Sequence, residues 1–325
     1  MLTLNDYFKQ STDPMQKGLL ADMLRFSDLM KIVPIDSVSA LRVSATRWQT
    51  LPTVGFRKYG GGYTESTGTT EPFTETLALL GGDIKFDRLA NIGSFIEDPI
   101  VTQMNMKAKA MALSFNWHLI NGDHAVDPDS FEGLKKRVAG MPARQTIYLD
   151  SNGNGTGVTL KVLASEANEQ LFLDGLAKIK NRVDGASALL GNEQSYESLG
   201  QVLRRMKIST QIADYLGKTW DSYGNVPLVD VGLMGDKSTE IITNTETIGG
   251  VADSSSIYAV RFDTDDGVRV IDLAGAGGPK VYDPLNGGEM ESGPQKLRRI
   301  DWPVGLFQKS QYTIARLTGF KMAAA

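Results

Sequence analysis

The chain has no cysteine among its 325 residues and only two histidines. Without thiols there is no disulfide, no thiolate nucleophile and no Cys-ligated metal. His118 and His124 lie six positions apart with no third soft ligand nearby, so a zinc site is not expected. A G-x-S-x-G nucleophile elbow is missing as well. No run approaches the roughly eighteen apolar residues of a membrane span, and no membrane partner is expected. The opening "MLTLNDYFKQ" lacks the basic lead and apolar run of a signal peptide, which makes the cytoplasm the expected compartment. An excess of positive charge is missing too. A formal net charge of −4 excludes the basic type of chain that coats nucleic acid. Two local clusters, Lys135, Lys136 and Arg137, then Arg204, Arg205 and Lys207, read as solvated helix or turn positions.

Hydrophobic residues make up 41% of the chain and charged ones 22%, enough for a real core in one large domain or two modest ones. The first forty residues read as an arm. "DPMQKGLLADMLRFSDLMKIVP" fits one amphipathic helix with Leu19, Leu20, Met23, Phe26 and Met30 on one face, ended by Pro34. Such a piece is too short for a core of its own, so its apolar face must dock elsewhere.

From Leu41 the chain turns extended, with Val43, Ala45 and Trp48 set among Arg42, Arg47 and threonines. Further on, Ile84 and Phe86 alternate with Asp83, Lys85 and Asp87, the period-two pattern of a strand with one wet face. Between these legs lies "RKYGGGYTESTGTTEPFTET", Arg57 to Thr76: three consecutive glycines, many threonines and little to bury. The pattern predicts one very long hairpin with a Gly/Thr-rich tip. Its outbound leg carries Arg42, Arg47, Arg57 and Lys58, and its return leg Glu65, Glu71 and Glu75, as cross-strand pairing or contact with a neighbour would require.

The strongest helix follows. Asp98 is placed as N-cap and Pro99 as the first helical residue. Ile100, Met104, Ala108, Met111, Phe115 and Leu119 recur at helical spacing, and Gly122 falls where a left-handed C-cap is wanted. About 22 residues at 1.5 Å rise make a rod of about 33 Å.

Between Asp150 and Asp301 helices and strands alternate. Phe172, Leu176, Ile179 and Val183 form one helical stripe capped by Ser165; Tyr196, Leu199, Leu203 and Met206 form a second, after Ser195. "SALLGN", "VPLVDVG", "TEIITN", "SIYAVRF" and "VRVIDL" read as strands, giving two helices against a mixed sheet. "QKSQYTIARLTGF" is a terminal strand expected to rejoin the region near the long helix.

Three stretches imitate ligand loops. "AGAGGPK", Ala274 to Lys280, lacks P-loop spacing and reads as a surface turn. Asp150, Asn152, Asn154 and Gly155 match the start of a calcium loop, but Lys161 stands where a bidentate Glu is required. Asp263, Asp265 and Asp266 could hold a metal, yet they fit a hairpin tip between two strands. No cofactor is expected.

An arm, a two-legged extended loop, a long capped helix, a mixed α/β region and a late returning strand, in that order, resemble the tailed-phage major capsid proteins of the Hong Kong 97 type. "FNWHLINGD…FEGL", Phe115 to Leu134, is similar to the end of the spine helix in that family. The resemblance covers nearly the whole chain as an order of elements. It implies an α+β capsid fold divided into an N-terminal arm (1–40), an extension loop (41–85), a peripheral domain with the spine helix (86–140 and 303–325) and an axial domain (141–302). It also implies a structural, non-enzymatic role: copies assembling as hexamers and pentamers into an icosahedral virion shell around double-stranded DNA, in the host cytoplasm. Separate scaffold and portal proteins, and weak, non-specific proximity to the packaged DNA, belong to the same implication. Contacts between subunits then fall on Arg57, Lys58, Tyr59, Gly60, Gly61, Gly62, Tyr63, Glu65, Glu71 and Phe73, with Lys58 the loop's one lysine before Lys85. Two alternatives stay open. One is an encapsulin-like compartment on the same fold; the other is an α/β enzyme with an exchanged hairpin arm.

Overall fold

The computed structural model describes residues 2–88, 99–150, 152, 154–206, 210–213 and 219–322. The chain begins with strand β1 (Leu2–Thr3), helices α1 (Leu4–Gln10), α2 (Pro14–Phe26) and α3 (Leu29–Ile32), and strand β2 (Pro34–Val38). Pro14 opens α2, and the Asp13 carboxylate accepts from the Met15 N–H at 3.0 Å. Where the sequence predicts one helix there are two. Ser27 breaks them apart: its hydroxyl accepts from the Met30 N–H at 3.2 Å and donates to Asn116 Oδ1 at 2.8 Å. The expected stripe of Leu19, Leu20, Met23 and Met30 is buried, in one core with the long helix of the same chain. The N-terminal segment, from Leu4 to Ile35, is therefore docked on this subunit's own core.

Next come β3 (Arg42–Thr50), β4 (Thr69–Thr76) and β5 (Ala78–Asp87). β3 and β4 form an antiparallel ribbon from Arg42 opposite Thr76 to Thr50 opposite Thr69. Past Leu77 the return leg leaves the ribbon and joins another sheet, so the hairpin is shorter than the sequence suggests.

The long helix α4 (Pro99–Asn121) has 23 residues and begins at Pro99; the Asp98 cap lies outside the described residues. Its buried face runs through Ala108, Met111, Ala112, Phe115, Leu119 and Ile120. Gly122 is not in the left-handed region. Glycine is needed there for close approach, because a Cβ would stand 2.3 Å from the Phe131 carbonyl oxygen. That approach lets the chain fold back into α5 (Leu134–Ala139).

The remaining elements are β6 (Thr146–Tyr148), β7 (Leu160–Lys161), α6 (Glu166–Arg182), β8 (Ala188–Gly191), α7 (Glu193–Arg205), β9 (Thr210–Ala213), β10 (Thr219–Tyr223), β11 (Val226–Asp230) and β12 (Glu246–Ile248). After them come β13 (Val251–Val260), β14 (Val268–Leu273), β15 (Lys280–Tyr282), β16 (Gln295–Gln308) and β17 (Ile314–Lys321). Ser165 caps α6 as expected, accepting from Asn168 N–H at 3.3 Å. The second helix starts earlier than expected, capped by the buried Asn192, which leaves Ser195 inside it. "TEIITN" forms no strand; Ile241 and Ile242 are buried from an irregular segment.

Among the described residues the strands make sheets of six, nine and two. The six-stranded sheet runs β1-β2-β14-β16-β15, with β5 along the other edge of β16, Ala78 opposite Val304 and Asp87 opposite Gln295. The nine-stranded sheet has the path β6-β17-β13-β8-β11-β10-β9, with β7 and β12 attached. Both faces of its centre are buried. Ala188, Leu190, Tyr258 and Val260 face the core of α4, while Leu189, Ile257, Ala259 and Leu317 face α6 and α7. That is why these strands read as unbroken apolar runs.

The sheets cut across the grouping read from sequence. β17 lies between β6 and β13 in the nine-stranded sheet and reaches the core of α4 through Ile314. β14, β15 and the whole of β16, placed by sequence largely within 141–302, belong to the six-stranded sheet beside α4.

Candidate functional site: an uncovered arm

The β3–β4 ribbon is built from residues that favour strands. Ser44 and Thr74 hydroxyls meet at 3.1 Å, and those of Thr50 and Thr69 at 2.6 Å. Arg47 Nε donates to Glu71 Oε2 at 2.9 Å, and this hydrogen bond and charge hold the Glu71 carboxyl below its usual range. Cross-strand pairing thus accounts for one of the divided charges. Glu75 is taken instead by Arg137 of α5, whose guanidinium also donates to the Leu306 carbonyl of β16 at 2.9 Å. Phe73 closes the base of the ribbon, its ring 5.3 Å from that of Phe307, with the Arg47 guanidinium 5.5 Å from the Phe73 centroid.

Beyond Thr50 the backbone pairing stops. Every residue from 51 to 67 is exposed, including Val54 at 96%, Phe56 at 110% and Tyr59 at 107%. The tip is still shaped. Gly61 N–H donates to the Lys58 carbonyl at 3.0 Å, around Gly60 at φ +81°, a conformation that only glycine adopts readily. Arg57 reaches across to the Gly61 carbonyl at 3.1 Å and lies 5.2 Å from the Tyr63 ring centroid. Of the ten residues singled out by sequence, the fold brings Arg57, Lys58, Tyr59, Gly60, Gly61, Gly62 and Tyr63 together at the tip, and Glu65 is exposed on the return. Glu71 and Phe73 are engaged within the chain, at the ribbon and its base. Leu51, Val54 and Phe56 are not among the ten, although they are fully part of the uncovered surface. The sequence does carry a signal for them: apolar side chains in a stretch with neither helical nor strand period.

The other chemical candidates are occupied. A cleft of about 760 Å³ lies at the arm's base, between β4, α5 and β16. Its three basic side chains are each paired: Arg47 with Glu71, Arg137 with Glu75, and Lys136 with Asp123 at 3.0 Å. His118 Nδ1 lies 2.7 Å from the Ser114 carbonyl of its own helix. Asp150 accepts from Asn154 N–H at 3.1 Å within the turn that resembles a calcium loop. Asp263 pairs with Arg261 at 2.7 Å and Asp266 with Lys309 at 3.1 Å. Their loop crosses between sheets, because β13 and β14 lie in different ones, and is not the hairpin tip expected. Among the described residues no group of three or more His, Asp or Glu could hold a metal ion.

A family model described as Major capsid protein GP7 matches residues 42–173, the stretch that carries the arm and α4. In three dimensions the chain is similar to the encapsulin of the holo-SrpI complex from Synechococcus elongatus, with a TM-score of 0.61 at 14% identity over 97% of this chain and 90% of that one. The capsid of a native GTA particle matches with a TM-score of 0.58 at 16% identity, covering 92% of this chain and 90% of that one. A chain of Mycobacterium phage Bobi matches with a TM-score of 0.54 at 10% identity, covering 93% and 91%. The fold is the Hong Kong 97-type capsid fold. No curated protein matches the chain in sequence. At such low identity the likeness fixes the architecture, α+β with a long spine helix, while the family match places the arm and spine within a segment shared with major capsid proteins.

Proposed function

We propose that the chain is the major capsid protein of a tailed phage, a structural subunit that assembles with copies of itself into a closed virion shell. The observation that carries this reading is the arm. Eighteen residues between β3 and β4 (51–68) form no strand, and almost all of them are exposed. A loop of that length is uncommon in a compact domain unless it serves a function. Its apolar side chains gain burial only on another molecule, and a shell of identical subunits supplies one at every position. On this reading Arg57 to Tyr63, with Leu51, Val54 and Phe56, contact a neighbouring subunit. The six-stranded sheet with α4 and the N-terminal helices acts as the peripheral domain, and the nine-stranded sheet with α6 and α7 as the axial domain. Hexamers and pentamers, separate scaffold and portal proteins, assembly in the host cytoplasm and loose proximity to packaged DNA complete the proposal.

Sedimentation and negative-stain microscopy of the expressed chain test it: closed shells or five- and six-membered rings are expected. A small oligomer under every condition, scaffold included, would overturn it. The encapsulin-like alternative rests on the SrpI likeness. The family match favours the virion, and purified shells carrying an enzyme cargo would reverse that preference.

A further inference from the structure

Asp272, near the end of β14, is fully buried in the six-stranded sheet and is not used by the arm or by any shell contact proposed above. Its Oδ2 accepts from the Gly278 N–H at 2.8 Å, and its Oδ1 has no hydrogen-bond partner. Gly278 belongs to "AGAGGPK", the loop expected to be a plain surface turn. The loop lies under the N-terminal segment instead. A Cβ on Gly278 would touch Leu20, Leu4 and Tyr7 at 3.4, 3.4 and 3.7 Å. Gln16 of α2 donates to the carbonyls of Gly277 at 3.1 Å and Pro279 at 3.3 Å. Tyr7 of α1 meets the Ser37 hydroxyl at 2.9 Å, and Ser37 is the register partner of Asp272 on β2. The same few contacts thus seal the carboxyl and fasten residues 2–26 to the sheet.

We propose that Asp272 is an acid-sensitive latch: the N-terminal segment docks more tightly when this carboxyl is protonated and loosens when it ionises. An ionised carboxylate held only by backbone N–H groups in a fully buried site is costly, and lifting the segment is the simplest way to hydrate it. The titratable groups facing it are few. Tyr7 comes from α1 and Lys280 from the far end of the loop; β2 presents Ser37, its neighbouring Asp36 being paired with Arg269 at 3.1 Å, and β16 presents Val304. Gln16, from α2, is neutral. Burial pushes the Asp272 carboxyl up to about 6, against the opposing pull of the Gly278 and Leu273 N–H groups and of Lys280. Because the docked value exceeds the ordinary 3.8, the stabilisation is complete below that pH and is lost as pH rises through about 6. If lifting the segment returns the carboxyl to 3.8, its opening constant rises roughly tenfold between pH 5 and pH 7.5.

The test uses the full-length chain as an unassembled subunit, so it stands whether or not shells form. Hydrogen-exchange protection in α1 and α2, corrected for intrinsic rates, should be about tenfold higher at pH 5 than at pH 7.5. Asp272→Asn should keep the higher protection at both values, and Asp36→Asn should leave the pH dependence in place. Carboxyl-carbon NMR of the wild-type chain gives a readout independent of any variant, with one aspartate titrating near pH 6. Equal protection at the two pH values, pH dependence surviving in Asp272→Asn or lost in Asp36→Asn, or no aspartate titrating above pH 5 would each overturn the latch.

Discussion

Arg137 holds Glu75 through two parallel hydrogen bonds of 2.6 and 2.9 Å, and with them fixes where the arm leaves the body of the subunit. The arginine side chain is 7% exposed and the carboxylate 19%. Its remaining reach goes to the Leu306 carbonyl, so one guanidinium ties β4 of the arm to α5 and β16. Planar bidentate geometry fixes direction as well as distance.

Removing either partner leaves the other charge buried. Arg137→Ala should destabilise the subunit by about 3 kcal/mol, measured from the urea midpoint, and Arg137→Lys should recover only part of the loss. A spin-label distance from the arm tip to α6 should broaden in both variants, since the clamp on β4 is then reduced to the ring contact of Phe73 with Phe307 and the continuation into β5. A narrow, unchanged distance in Arg137→Ala would show that the ring contact suffices.

Replacing residues 51–68 by Asn-Gly joins Thr50 to Thr69 through a tight turn at a position where the strands are already paired. The shortened subunit should keep its thermal midpoint within a few degrees, because the excised residues bury almost nothing in cis. Shell formation should disappear. Shells of normal size from this variant, seen by electron microscopy, would remove the role assigned to the tip.

Glu246 of β12 lies between Lys135 Nζ and Arg316 Nη2, each at 2.7 Å, and so links α5 to β17. Burial pushes its carboxyl up, but the Arg316 and Lys135 charges and hydrogen bonds from Lys135 and Ser256 pull it further, to below the ordinary 4.5. A depressed carboxylate gives stability that is present above the unfolded value and lost as pH falls through the folded one. Glu246→Gln should therefore cost about 3 kcal/mol at pH 7, with the gap to wild type narrowing as pH falls below about 4.5. Parallel urea titrations at pH 7 and pH 3 check it, and a constant gap would contradict it.

Gly81 lies opposite Asp301 where β5 runs along β16, and a Cβ there would stand 2.1 Å from the Ile300 carbonyl oxygen. Gly81→Ala should force the strands apart at a cost of about 2 kcal/mol, with hydrogen exchange rising in β5 while α6 and α7 keep their protection. Gly62→Ala, which meets nothing within 4 Å, is the matched control and should be silent.

Much of the fold and of the arm is legible in the residues alone. The period of Ala108, Met111, Phe115 and Leu119 specifies the long helix, and Pro99 its start. The alternation of Ile84 and Phe86 specifies a strand, and the polar tip from Arg57 specifies a segment with nothing to bury. What misleads are features whose meaning depends on a distant neighbour. Gly122 reads as a left-handed cap, because local rules ask only for flexibility, when it is the chain at Phe131 that requires the missing side chain. "TEIITN" has the composition of a strand, but Ile241 and Ile242 meet their core from an irregular backbone. Arg137 reads as one of three solvated cations, since nothing within a few residues announces Glu75.

By itself the sequence determined the long helix and most of the strands, which faces are apolar and which stretch cannot bury itself; those properties follow from side-chain periodicity and turn chemistry, which act over a few residues. Only the tertiary structure decided which sheet each strand entered, that β17 lies between β6 and β13, that α1 to α3 pack into the core of the long helix, and that Asp272 is closed off by helices more than two hundred residues away in the chain. A period of two states that a strand has a face to bury. It is silent about the partner, because any apolar surface of the right shape satisfies it.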